Sequence, residues 1–331
     1  MSQRLLTFIK GQTTYVSSYL EMVVCMKLLG IFGVILITQI SCRSTNYLQP
    51  KGIIENLIPS EYQKNPYTEQ NVDITKKVYG FKYKFSSPTN EWYEWKWKYK
   101  RVETNEMIKK FGMPQSIFEP FQATKKNIRL RNQAIKRSFF KEEGSKLYPD
   151  FNRMIPFYMG FTSPLYALTI KTLGKDSTPR ERVEFLLRFV QDIPYGIPPT
   201  HSNSKVIAGI LSPPQIFIEK WGDCDSKVLL LSSILAHEPR YKILLVYLEK
   251  HLLMAFEGRP HPNDSFIVFQ GSKFILADPT GPAHLKLGRP GPDFNGQFKK
   301  IEPLQITSLD RKIPHYVSRL IKVNKVKSPT N

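Results

Sequence analysis

Between positions 79 and 100 apolar and polar residues alternate strictly. Tyr79, Phe81, Tyr83 and Phe85 interleave with Lys82 and Lys84. After a turn-forming Ser-Ser-Pro-Thr-Asn, Tyr93, Trp95, Trp97 and Tyr99 interleave with Glu94, Lys96, Lys98 and Lys100. Successive strand side chains point to opposite faces, so a period of two on both sides of a turn predicts a β-hairpin with one aromatic and one cationic face. Aromatics set among lysines suit stacking of sugars or bases, but burial against the next element is the expectation here. From 103 to 173 the pattern turns mainly helical, broken by Pro114, Pro120, Pro149, Pro156 and Pro164. Within it TKKNIRLRNQAIKR predicts a solvated, basic helix face.

The pattern sharpens at Thr178. Thr178, Pro179 and Glu181 make a capping box with proline at the first helical position, and Val183, Leu186, Leu187 and Val190 share one stripe, which predicts an amphipathic helix over 179–192. Cys224, Val228, Leu231 and Leu235 lie on a second stripe, which places Cys224 in the first turn of a helix capped by Asp223 or Asp225. Gly222 lets the backbone turn sharply into it. KILLVYLE then reads as a buried strand and HLLMAFEG as a second one opened by His251. SFIVF, a QGSK turn and FILADP form a hairpin ending at Asp278. The fold class is therefore α+β, with the Cys224 helix packed on an antiparallel β-sheet and an N-terminal hairpin and helical module added to it. The expected division is an extension and leader at 1–42, a tether at 43–75, the hairpin-plus-helices module at 76–176, the main core at 177–303 and a basic tail at 304–331.

Composition narrows the partners. Of 331 residues, 41% are hydrophobic and 12% aromatic, which places the chain among globular proteins and excludes a disordered one. The net charge of +20 favours anionic surfaces and polymers as partners. No zinc-finger, Walker or glycine-rich phosphate-binding pattern accompanies it, so no nucleic acid partner is expected. The three cysteines, Cys25, Cys42 and Cys224, are too few and too scattered for a disulfide framework or a metal site. From Met26 one lysine is followed by an apolar stretch, Leu28 to Ile40, and then by Ser41-Cys42. This has the make-up of a secretory leader, too short to span a bilayer. The small residue before Cys42 resembles the lipobox of bacterial lipoproteins, although Gln39 stands where leucine is usual. Residues 1–25 read as an upstream extension, with Met1 or Met26 as the start. The resemblance implies lipidation at Cys42 and a chain held by its lipid to the membrane of the bacterial cell envelope, periplasmic or at the surface. Cys224 is then a single free thiol in an exported protein, which points to chemistry.

A helix N-terminus is expected to stabilise a thiolate and to offer free N–H groups to an oxyanion. A nucleophilic cysteine also needs a base and a group that orients the base. His251 and Asp278 follow on successive strand segments and supply those residue types. In order and spacing, GDCDSKVLLLSSIL, HLLMAF and FILADPTGP resemble the nucleophile, histidine and aspartate segments of the transglutaminase-like cysteine enzymes, a superfamily related to papain-like proteases. RFVQDIPYG resembles the helix end that precedes that core. The resemblance spans about residues 177–285. It implies Cys224 as nucleophile, His251 as general base and acid, and Asp278 as the group that orients the imidazole. It also implies a thioester acyl-enzyme formed on amide bonds of a protein or peptide, without metal or cofactor. Hydrolysis is expected over transfer to an amine, since water is always present. Trp221 stands before Gly222 where bacterial members often carry a small residue. Gln191 is the candidate side-chain oxyanion donor, with Trp221 and Asp225 as further surroundings of the site. His201, His237, His261, His284 and His315 show no metal spacing. The rival expectation is a catalytically silent envelope lipoprotein that binds anionic polymers or protein partners.

Overall fold

The computed structural model describes residues 68–328 except 76, 119–121, 145, 292–293 and 307–320. The leader, Cys42, Pro120, His315 and most of the tether expected at 43–75 lie outside the described residues.

The first half of the chain runs β1 (Glu69–Ile74), β2 (Val78–Ser86), β3 (Trp92–Lys100), α1 (Arg101–Lys110), β4 (Met113–Pro114), α2 (Lys125–Arg137), β5 (Phe140–Glu143), β6 (Lys146–Pro149) and α3 (Phe151–Leu173). There follow α4 (Pro179–Gln191), β7 (His201–Ser202), β8 (Lys205–Val206), α5 (Pro213–Glu219) and α6 (Cys224–Leu235). The last part holds β9 (Ile243–Tyr247), β10 (Leu252–Glu257), β11 (Phe266–Phe269), β12 (Ser272–Ala277), β13 (Lys300–Pro303) and β14 (Lys322–Val326). The two larger sheets are antiparallel throughout, ordered β1-β2-β3-β14 and β11-β12-β10-β9-β13, and the protein is α+β.

The hairpin β2–β3 forms as its alternation predicts, with Phe81 opposite Trp97 and Tyr83 opposite Trp95. Its aromatic face is buried: Phe85, Trp95 and Trp97 are fully inaccessible. Phe217 of α5 inserts there, with ring centroids 5.7, 5.6 and 5.4 Å from Phe81, Tyr83 and Trp97. Phe185 and Phe189 of α4 close the same layer against Phe85 at 5.4 and 5.1 Å. One hydrophobic core therefore runs from the hairpin through α4, α5 and α6 to the second sheet.

The structure departs from the sequence expectations in three places. β1 lies inside the expected tether, where Val72 pairs with Phe81, and β14 lies inside the expected tail, where Val323 pairs with Trp95. Both are short, charged edge strands whose few apolar residues give no clear period. α3 also runs unbroken through Pro156 and Pro164. An interior proline costs about 3 kcal/mol. Met154, Ile155, Tyr158, Phe161, Leu165 and Leu168 are buried at 2% exposure or less, and each contributes roughly 1.5–3 kcal/mol, so packing outweighs the lost hydrogen bonds. Thr162 Oγ1 also ties α3 to α6 by donating to Ser233 O at 2.9 Å.

α6 is buried nearly all round, as befits a central helix. Residues Ser226 to Leu235 are all buried, packed by α3, α4, α5 and, from the second sheet, β10. The other face of that sheet closes over a smaller cluster of Leu244, Val246, Leu253, Ile267, Phe274 and Leu276. Among the described residues no helix is long and apolar enough to cross a membrane.

Phe217→Ala should destabilise the protein by about 3–5 kcal/mol, because it empties the centre of the aromatic layer. Val102→Ala, at a position 75% exposed, should stay within about 0.5 kcal/mol of the parent in the same denaturant titration.

Candidate functional site

The start of α6 is fixed by Asp223. Its Oδ1 accepts from the Ser226 N–H at 3.0 Å and from the Ser226 hydroxyl, so Cys224 becomes the first helical residue. Before it, the Gly222 N–H donates to Pro194 O at 3.1 Å, and the Gly196 N–H donates to Gly222 O at 3.3 Å. These bonds join the approach to α6 to the segment leaving α4. The buried indole of Trp221 lies flat on Gly196, where a Cβ would stand 2.6 Å from Cε3. Trp221 is thus a packing residue that demands glycine at 196.

His251 and Asp278 sit one residue outside their strands, just before β10 and just after β12, which pair through Met254 and Ala277. The Leu248 N–H donates to His251 O at 2.8 Å and closes the turn from β9. Beyond the ladder the pleat no longer dictates which face a side chain takes, and the two residues meet, His251 Nε2 to Asp278 Oδ2, at 3.0 Å. Asp278 Oδ1 accepts from the Thr280 N–H at 3.0 Å, and the Thr280 hydroxyl lies 3.5 Å from His251 Nε2. The backbone of Leu252, the residue that follows His251, lies near enough to the Cys224 sulfur to favour its ionised form. With Nε2–H donating to Asp278, the basic nitrogen of the imidazole is Nδ1.

The electrostatics differ from the sequence expectation at one point. The helix end was expected to lower the thiol pKa. Burial instead raises it, and the charges of Asp225 and Asp223 raise it further. The thiol donates to Asp225 Oδ1 at 3.4 Å. Burial also raises Asp225, against the thiol hydrogen bond and the His251 charge, and it pushes Asp223 up to about 7 with help from Asp225. Burial acts to raise Asp278 as well, but the His251 hydrogen bond and charge and the Thr280 donors outweigh it and hold that carboxyl below its usual range. Donor atoms of Asp223, Cys224 and Asp225 lie within 4.8 Å of one another. Asp223 is occupied in capping α6 and Asp225 in accepting from the thiol, so the trio works as cap and hydrogen-bonded pair.

Sequence reasoning missed Lys227. It sits one helical turn after Cys224, is fully buried, and donates from Nζ to Ile193 O and Thr280 O. Burial pushes its ammonium down to about 7, against the pull of Asp278, Asp192 and Asp223. A lysine directly ahead of the apolar run VLLLSSIL, within the first turns of a helix expected to be buried, was the available signal. Gln191 is neither a solvent-facing residue nor an open oxyanion donor. It is 1% exposed, and its amide N–H groups go to Asp278 O at 2.8 Å and Leu285 O at 2.9 Å. Gly281, at φ +63°, passes so close to the Gln191 carbonyl that a Cβ would collide with it. His284 pairs with Asp192 across the same seam. Gln191, Lys227 and His284 therefore staple the loop after Asp278 to the end of α4.

These shifts predict a pH dependence of stability. The raised Asp223 holds its proton longer in the folded protein than in the unfolded chain, so its contribution falls as pH rises from about 4, where an unfolded aspartate ionises, to about 7. The depressed Lys227 loses its proton sooner than an unfolded lysine at about 10.4. Its contribution should therefore grow from about pH 7 to about 10.4, with the net rise offset above about 8.5, where Cys224 ionises in the unfolded chain. Chemical denaturation across pH should show Asp223→Asn, which still caps α6, flattening the fall, and Lys227→Met flattening the rise.

Compared with protein-family models, curated proteins and solved structures, the chain finds no match.

Proposed function

We propose that the chain is a thiol enzyme acting on amide bonds of a protein or peptide, with Cys224, His251 and Asp278 as its reacting unit and a core of transglutaminase-like type. The observation that carries this reading is the 3.0 Å pair between His251 and Asp278, set beside a thiol in the first turn of a buried helix. In the proposed reaction Cys224 Sγ attacks the carbonyl carbon and its proton passes to His251 Nδ1. The oxyanion lies on N–H groups at the start of α6, since the Gln191 amide is engaged elsewhere. Collapse breaks the C–N bond, and the imidazolium gives its proton to the leaving amine. Water, deprotonated by the same imidazole, then cleaves the thioester and releases acid and thiol; an amine in place of water gives transamidation. Asp278, held ionised, keeps the ring in the required tautomer. A lipid tether at Cys42 would hold this activity at a bacterial envelope membrane.

One observation favours the silent binding protein instead. Two aspartates flank the thiol and oppose its ionisation. In an active enzyme the thiol is therefore neutral at rest and surrenders its proton during attack.

The test uses the full chain with Cys25→Ser and Cys42→Ser, so that Cys224 is the only thiol. Iodoacetamide labelling should be slowed by His251→Ala and accelerated by Asp225→Asn. Against a peptide-amide library, Cys224→Ala should abolish release of amine, and His251→Ala should lower it by about 10²–10⁴-fold. Identical labelling in every variant and no amine release would move the assignment to the silent binding protein.

A further inference from the structure

The outward face of the four-stranded sheet plays no part in the thiol site, yet its residues are arranged at a cost. The registers set Asn71 opposite Lys82, Lys82 opposite Lys96, and Lys96 opposite Lys322. One row across all four strands thus carries an amide and three lysines, at the strand spacing of about 4.8 Å. Like charges directly opposite one another destabilise a sheet, and outward positions accept neutral residues equally well. Glu94, itself 6% exposed, offsets part of the charge by pairing with Lys82 at 3.2 Å and Lys96 at 2.6 Å. Lys98 adds a fourth cation.

These residues surround a hollow. Asn71, Asp73, Lys82, Lys96, Lys98 and Lys322 line a groove of about 340 Å³ to which Gly80 also contributes. A Cβ at Gly80 would meet only ordinary contacts, the nearest being Asp73 O at 3.5 Å. Packing therefore does not require glycine there, and its effect is to leave the floor open. Phe81 and Trp97 contribute to the floor but are 2% and 0% exposed, their rings turned into the core. A base or sugar would find no aromatic surface to stack on. Every cation in the groove is lysine, a compact point charge without the fork that arginine offers a carboxylate.

We propose that this groove binds a linear phosphate-bearing polymer that carries no bases, its charges laid along Lys82, Lys96 and Lys322 with Lys98 at the rim. The polymer cancels the repulsion built into the row. The site is independent of the thiol chemistry and stands or falls separately from it.

The experiment titrates the full chain into fluorescently labelled linear polyphosphate and follows anisotropy at several salt concentrations. The groove variant is Lys96→Gln/Lys98→Gln/Lys322→Gln, which leaves Lys82 to neutralise Glu94. The control, Lys125→Gln/Lys126→Gln/Lys136→Gln, removes the same charge from exposed positions on α2. The groove variant should bind at least tenfold more weakly, with a salt slope shallower by about 2. The control should change less than threefold. Without polymer the groove variant should melt at or above the parent temperature, because opposed like charges have gone. Equal losses in groove variant and control would overturn the proposal in favour of diffuse attraction to a basic protein. So would equal binding of polyglutamate, or tighter binding of a single-stranded oligonucleotide of the same charge.

Discussion

A buried ammonium with no room to leave holds the centre of this molecule. Lys227 rises from the core helix α6 and gives its protons to two backbone carbonyls, Ile193 O behind α4 and Thr280 O behind β12. Taking a cation out of water is expensive, and here the surroundings answer with three carboxylates, Asp278, Asp192 and Asp223. Each of those is fixed in turn, to His251, to His284 and to the cap of α6. Three chain segments remote in sequence are thereby held at one point. The loop that carries Asp278 has little freedom to drift, since Gln191 grips its backbone from the other side.

Around the thiol the same economy of space produces a different balance. Asp223 is needed to cap the helix and Asp225 accepts from the sulfur, so Cys224 begins a helix whose dipole favours a thiolate while its neighbours oppose one. Burial and the two carboxylates prevail. In the proposed reaction this separates nucleophilicity from standing charge: the sulfur is kept protonated until a carbonyl and the imidazole act on it together.

The sequence made legible those features that depend on near neighbours. The β2–β3 alternation, the Thr178–Glu181 capping box, the stripe of α6 and the strand segments around His251 and Asp278 each involve residues only a few positions apart. β1 and β14 were hidden because their regularity is supplied by the partner strand. α3 hid its continuity behind two prolines that tertiary packing overrides. Lys227 was hidden, and Gln191 was given the wrong part, for the same reason. Their partners are backbone atoms far along the chain, Thr280 O and Asp278 O among them, and no periodicity encodes a contact with a carbonyl. The residue types at 224, 251 and 278 could be read from sequence, while the balance of charge and burial at the Cys224 thiol emerged only with the fold.

The pairing of β14 with β3 bears on how the protein is made. Asn324 reaches Glu94 across 230 residues of chain, whereas the rest of the hairpin's contacts with β1, α4 and α5 form earlier in synthesis. At a ribosome adding about 5–20 residues per second, the β3 edge stands unpaired for at least ten seconds after it emerges, flanked by the most aromatic stretch of the sequence. Open edges of that kind recruit other strands. The lysines that crowd Lys96, Lys98 and Lys100 along β3 would repel a second nascent copy during that interval, so charge that strains the finished sheet protects the unfinished one.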